Sequence, residues 1–338
     1  MNNTFSRLCT FLLIQCSFLP LFLSCGRQKE CYDGVIEKGE LKEVASFKRT
    51  VCGWQGMAVT DSTIIIADNK GFEYYGFDGT SLGKTAFNGN GTLYSFDVDS
   101  EGFWTYWLSG TRNFIHTSFS GDTISTAKDS ITTISPIGYL GNGKLLVPEL
   151  YKSQFSLNVV DANSGEYTPS FDILKECGYD LSDQNGGAYA VTSRISQHRD
   201  GKTLLFCYFN SKFIVVEGDS VFRMGEDYRH LPVPKTIMMG HNHRLDPMNC
   251  GIEAGCVDST GIYLVTPKFK SRRWCESDNE RYLDVYNPHT FEYKGSWLLP
   301  VSRGRYIKSI SKCGNRIFIL YTSGNEGAEV KTVELNNL

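Results

Sequence analysis

The sequence is poor in proline, with 10 in 338 residues, and it holds no uninterrupted apolar stretch of the 18 or more residues that reads as a membrane-spanning helix. No block of Lys and Arg interleaved with aromatics stands out, and the formal net charge is only −3, so nucleic acid is not an expected partner. No nucleophile elbow on a strand-to-helix turn, no His-Glu-x-x-His helix and no Walker loop is read, which removes the short signatures of the commonest hydrolases and nucleotide enzymes. What the chain has instead is 33 Gly and 13% aromatics, made of 21 Phe, 18 Tyr and 5 Trp. That balance suits many short strands joined by turns better than long helices.

One phrase is written six times. An apolar run, a tight turn and a second run rich in Ile, Val, Tyr and Thr appear as MAVTDSTIIIAD (57–68), SFDVDSEGFWTYW (95–107) and IGYLGNGKLLVPE (137–149). The phrase returns as RISQHRDGKTLLFCY (194–208), GIEAGCVDSTGIYLVTPKF (251–269) and KSISKCGNRIFILY (308–321). Each reads as a β-hairpin. Taking Asp61, Glu101, Asn142, Asp200, Thr260 and Asn315 as markers, the steps are 40, 41, 58, 60 and 55 residues. A period near 40 that returns as all-β hairpins is the signature of propeller blades of four strands. The fold class expected is therefore all-β: a six-bladed β-propeller of four-stranded antiparallel blades, filling 41–338 as one domain with one continuous core.

The last copy supplies three strands, 305–335, and then the chain stops. An open blade edge leaves backbone N–H and C=O groups unpaired and invites association. The segment LKEVASFKRT at 41–50 precedes the first complete hairpin with no partner of its own. It is expected to join the last blade as its outermost strand and so close the ring. The long steps mark insertions at 172–189, between blades three and four, at 225–250, between four and five, and at 270–280, inside blade five. Long segments in a compact domain usually carry function or are disordered.

The N-terminus reads as a leader. After a single Arg7, residues 10–23 form an apolar core of 14 residues, too short to span a bilayer and suited to a secretory signal. It ends Leu21-Phe22-Leu23-Ser24-Cys25-Gly26, which is similar to a bacterial lipobox. The expectation is removal of 1–24, acylation of Cys25 and a polar tether over 25–40. Several acyl chains on one residue anchor stably, since each buried methylene adds about 0.8 kcal/mol. Eight cysteines follow: Cys31, Cys52, Cys177, Cys207, Cys250, Cys256, Cys275 and Cys313. Their number allows 105 connectivities, so pairing is not read from spacing. Cys207 and Cys256 sit in apolar runs and are expected as buried small hydrophobes, while any bridge is expected near Cys250 and Cys275.

With the lipobox ending Leu23-Ser24-Cys25 and blade phrases such as GMAVTDSTIIIAD and GIEAGCVDSTGIYLV, the chain resembles the six-bladed TolB-like or NHL-like β-propeller lipoproteins of Bacteroidetes over 44–335. The resemblance implies an exported propeller, lipid-anchored to the outer membrane of the bacterial cell envelope on its periplasmic or surface face. It implies no catalytic residues.

Two clusters offer chemistry. His241, His243 and Asp246 could supply ligands to a divalent metal, although no second half of a ligand set stands at a recognised spacing. Arg272 and Arg273 beside Trp274 could hold a carboxylate or a sugar ring by forked hydrogen bonds and stacking. The reading favoured is a non-enzymatic binding or scaffold module that presents Arg272, Arg273, Trp274, His241 and His243 on one face to a protein, peptide or glycan, with no cofactor expected. The alternative is a metal-dependent hydrolase, lactonase or lyase at the channel mouth, for which Glu149, Asn249 and Asp258 are the acidic and amide candidates.

Overall fold

The computed structural model describes residues 30–49, 56–68, 70–86, 93–107, 113–128, 138–151, 154–178, 193–239, 242–246, 249–270, 280–302, 304–323 and 327–335. Its strands form six blades in chain order. Blade one is Gly56–Val59, Ile64–Asp68, Gly71–Tyr75 and Ser81–Ala86, and blade two is Leu93–Val98, Gly102–Trp107, Asn113–Ser118 and Thr123–Lys128. Blade three is Gly138–Gly141, Lys144–Tyr151, Gln154–Asp161 and Tyr167–Asp172, followed by one helical turn, Ile173–Glu176. Blade four is Ser193–Ile195, Lys202–Cys207, Lys212–Glu217 and Val221–Glu226, and blade five is Ala254–Val257, Ile262–Pro267, Arg281–Tyr286 and Tyr293–Leu298. Blade six takes Tyr306–Cys313, Arg316–Thr322 and Ala328–Glu334 from the end of the chain and Glu43–Arg49 from its start. The fold is the expected six-bladed propeller.

The closing strand lies where the sequence places it. Glu43–Arg49 runs antiparallel to Ala328–Glu334, with Phe47 opposite Val330 and Arg49 opposite Ala328. It also ties blade six to blade one: the Arg49 guanidinium meets the Asp68 carboxylate at 2.8 Å, both nearly sheathed, and Phe47 packs on Tyr75 with ring centres 4.7 Å apart.

Six hydrophobic clusters fill the six clefts between neighbouring blades, and together they are the core. The second strand of each blade explains the continuous apolar runs in the sequence. Ile64 and Ile66 face Phe318 and Leu320 of blade six, while Ile65 and Ala67 face Leu93 and Phe103 of blade two. Likewise Leu205 and Cys207 pack toward blade three, and Leu204 and Phe206 toward blade five. A strand covered on both faces has no reason to alternate polar with apolar. Cys207 and Cys256 are buried among these side chains, as expected of them. Cys250 is also buried, its thiol donating to Glu253 Oε1 at 3.4 Å; Cys275, its suggested neighbour in a bridge, lies outside the described residues.

Turn chemistry accounts for the reversals. Asn142-Gly143 and Asp200-Gly201 both have positive φ at both positions, the requirement of the tight type I′ hairpin turn. The Asp-Ser-x-Gly turns of blades two and five work differently. Asp99 Oδ1 accepts from the backbone N–H groups of Glu101 and Gly102, and Asp258 Oδ1 from those of Thr260 and Gly261.

Two segments depart from expectation. The supposed tether is not free over its second half: Glu37–Glu40 adds to blade five as a fifth strand, parallel to Tyr293–Leu298. Lys270 N–H donates to the Glu30 carbonyl at 2.7 Å, and its ammonium meets the Glu30 carboxylate. Blade five's outer edge, otherwise open, gives this segment its backbone partners. The insertion at 225–250 is not a plain loop either, because Lys235–Met239 and Asn242–Asp246 pair as an antiparallel hairpin.

Candidate functional site

In every blade consecutive strands are antiparallel neighbours, so the strand ends sort into two faces of the ring. The turns joining strands one to two and three to four share one face. The loops joining strands two to three, and the connectors between blades, share the other. All three insertions therefore depart from the same face, which we call the connector face.

Side chains link the blades across the turn face. Gln197, just beyond the inner strand of blade four, reaches across the axis to blade one: Val59 N–H donates to its Oε1 at 2.8 Å and its Nε2 donates to Val59 O at 3.0 Å. Arg199 donates to Val59 O and to Asp61, and its Nη2 lies 3.4 Å from Cys313 Sγ of blade six. Asp97 of blade two accepts from the backbone N–H groups of Tyr139 in blade three and His198 in blade four. Burial raises this carboxyl to about 7, against the opposing pull of its N–H donors. The ring is completed by Ser259 on Asp200 at 2.8 Å, joining blades five and four, and by Lys312 on Asp258 at 2.5 Å, joining six and five.

Above that floor lies a cavity of about 100 Å³ in the central channel. It is lined from the inner strands of blades one, two, four, five and six, with Met57, Phe96, Ile195 and Ile310 supplying apolar surface. Two cations line it, Arg194 and Lys308, and no Asp or Glu does so among the described residues. Arg194 is the middle residue of its three-residue strand, and Lys308 is the third of the eight in its own. Arg194 is fixed on two sides: its Nη1 donates to Lys308 O at 2.8 Å and its guanidinium stacks 4.5 Å over the Tyr208 ring. Burial, reinforced by the Arg194 charge, lowers the Lys308 ammonium to about 7. The Ser309 hydroxyl also lines the cavity and is buried without a hydrogen-bond partner among the described residues.

The residues singled out in the sequence fare differently. Arg272, Arg273, Trp274, His241 and Cys25 lie outside the described residues. His243 and Asp246 stand on the second strand of the inserted hairpin, opposite Met238 and Lys235. Asp258 is a turn residue paired with Lys312 and does not line the channel cavity. Glu149 stands on the second strand of blade three, one strand removed from the axis. Among the described residues, no group of three or more His, Cys, Asp or Glu side chains is placed to hold a metal ion. The letters Gly-x-Ser-x-Gly do occur, at 79–83, but on an outer hairpin turn with Ser81 exposed at the start of a strand, so no nucleophile elbow forms. Sequence reasoning missed Arg194 and Lys308. The signal was present: each is the first residue of its copy of the repeat phrase, and the start of the phrase is the inner strand.

This arrangement defines a six-bladed β-propeller whose turn face is crossed by side-chain links between blades and whose central channel is lined by Arg194 and Lys308. No protein-family model matches the chain, and no curated protein does. Solved structures share the fold at low identity. A duf4221 family member from Bacteroides vulgatus is 9% identical with a TM-score of 0.57, covering 87% of this chain and 98% of its own. The Pan2 WD40 domain from Neurospora crassa is 9% identical with a TM-score of 0.51, covering 90% and 98%. A protein of unknown function from Bacteroides caccae is 12% identical with a TM-score of 0.42, covering 73% and 86%.

Proposed function

We propose that the protein is an exported, lipid-anchored binding module that engages a protein, peptide or glycan ligand through its connector face. The single observation behind this reading is the asymmetry of the two faces. One is tied off by Gln197, Arg199, Asp97, Asp200 and Asp258. The other is the face from which the three insertions depart. Loops held by a rigid scaffold are where binding residues concentrate, and in this reading Arg272, Arg273 and Trp274, with His241 and His243, furnish contacts there. The anchor is Cys25, placing the molecule on the outer membrane.

Peptide and glycan arrays probed with labelled protein test the reading. Ligands should be lost when Arg272, Arg273 and Trp274 are all replaced by Ala, and kept when exposed turn-face residues Ser62 and Glu101 are replaced by Arg. Loss with the turn-face pair alone would sink it. A stoichiometric divalent ion in the purified protein would instead favour the hydrolase reading. For the anchor, Cys25→Ser should abolish metabolic palmitate labelling and release the protein from the membrane fraction; continued labelling would refute acylation at that residue.

A further inference from the structure

We propose that the connector-face rim of blade five is the side of the propeller held against the lipid bilayer, with residues 30–40 acting as a strap that fixes this side. This goes beyond the reading above and rests on its anchor at Cys25. Two things carry the inference: how the segment is fastened, and how little chain is left free before it.

The strap is bound along its length. At its start it lies beside the end of blade five's second strand. Cys31 bridges Phe269 in antiparallel register, Lys270 N–H donates to Glu30 O at 2.7 Å, and the Lys270 ammonium meets the Glu30 and Asp33 carboxylates. The Tyr32 ring lies 5.3 Å from the Arg229 guanidinium, which is itself locked to Asp227 at 2.7 Å. Both contacts belong to the connector face, because Lys270 follows the second strand of blade five and Arg229 follows the fourth strand of blade four. Further along, Ser296 N–H donates to Ile36 O at 2.8 Å, Ile36 N–H donates to the Tyr293 hydroxyl at 3.3 Å, and the Tyr282 hydroxyl donates to Glu37. Beyond its last residue, Leu41 is buried in the cluster between blades five and six, and its N–H donates to Leu298 O at 2.9 Å. Exposed ion pairs contribute little singly, so the backbone bonds and the Tyr32 contact do most of the holding.

What remains free is short. Five residues separate Cys25 from Glu30, a reach of about 18 Å at most, whereas a chain loose as far as Leu41 would reach about 55 Å. The shorter reach keeps the rim beside Glu30 at the lipid surface and leaves blade two, three steps round the ring, as the blade held farthest away. Charge does not set this orientation. Glu30, Asp33, Glu37 and Glu40 against the single Lys38 leave the strap with a net charge of −3, which anionic lipid would not attract. A ligand of the connector face is then met close to the membrane surface.

Energy transfer to acceptor-labelled lipid tests the orientation on the acylated full chain in phosphatidylcholine vesicles. A donor dye is carried by an azide-bearing residue placed either at Val301, exposed in the connector leaving blade five, or at Glu101, exposed on the turn face of blade two. Transfer from position 301 should exceed that from 101 by roughly twofold or more, and anionic lipid should leave the ratio unchanged. A Gly-Ser insert of about twelve residues after Lys29 lengthens only the free chain, so it should bring the two positions toward parity. Equal transfer from both positions without the insert, or more from 101, overturns the proposal. Hydrogen exchange reads the strap itself: the Lys270 and Ser296 N–H groups should exchange roughly a hundredfold or more slower than unstructured chain, and exchange at the unstructured rate overturns it as well. A hexahistidine tag in place of residues 1–25, held on nickel-chelating vesicles, attaches the chain at the same point without acylation. A preference for 301 on those vesicles, with no palmitate on Cys25, would sink the anchor reading alone and support the strap geometry. Loss of the preference with palmitate present would sink the orientation alone.

Discussion

At the scale of single residues, the ionisable groups buried within the blades shape how stability follows pH. Asp284 is fully buried on the third strand of blade five, where the hydroxyls of Thr266 and Ser296 donate to it, yet burial raises its carboxyl to about 7. The unfolded carboxyl titrates near 4, so between about 4 and 7 the folded state binds the extra proton. Stability from this group is therefore whole below the unfolded value and is lost as pH rises toward the folded one. Lys308, lowered to about 7, acts in the adjoining window: there the unfolded state binds more protons, and stability rises with pH above 7. Urea unfolding between pH 5 and 7 should show Asp284→Asn gaining on the wild type by an amount on the order of 2 kcal/mol, because the amide mimics the neutral acid and has no proton to lose. A parallel pH profile for the two proteins would show that the carboxyl is ionised throughout.

At the scale of elements, the two N-terminal strands are not equivalent, although they are separated only by Leu41 and Lys42. Glu43–Arg49 is the fourth strand of a blade that is otherwise three-stranded, and it brings Arg49 to Asp68 of the next blade. Glu37–Glu40 is a fifth strand on a blade already complete, and all four of its residues are exposed. A chain beginning at Leu41 should fold with a melting temperature lowered by only a few degrees, and a chain beginning at Gly56 should aggregate or lose cooperative unfolding, as read by calorimetry and size exclusion. Equal behaviour of the two would mean that ring closure does not depend on the strand. The sequence disclosed one of these strands and hid the other for a physical reason. The closing strand was legible because counting three strands in the last copy leaves an orphan that only 41–50 can match. Glu37–Glu40, by contrast, is EKGE, with no apolar residue to mark a buried face, and its pairing comes from blade five's free backbone edge rather than from its own side chains. The turns were legible for the opposite reason, since Asn-Gly, Asp-Gly and Asp-Ser-x-Gly carry their geometry within four residues.

At the scale of the whole molecule, function is hardest to read from the sequence because the channel is assembled from distant positions. Arg194 and Lys308 are 114 residues apart, on blades four and six, and neither sits in a phrase with chemical meaning of its own. Only superposing the six copies by their inner strands would have brought them together. The same long-range logic holds the ring rigid. In a propeller each blade packs on two neighbours, but Gln197 and Arg199 add a strut between blades four and one, which are three steps apart. Removing both side chains leaves Val59 N–H and C=O, on a residue with no exposure, without these partners; each such loss costs about 1–3 kcal/mol. The Gln197→Ala, Arg199→Ala double variant should therefore lose about 2–5 kcal/mol while each blade interface, built on its own hydrophobic cluster, stays intact. Hydrogen exchange should locate the loss at the turn face, with faster exchange at Val59 and at the His198 N–H and little change along Ile64–Asp68 and Lys202–Cys207, the second strands of the two blades. Uniformly faster exchange across both blades would mean that the strut holds the packing itself and not merely the closed end of the channel.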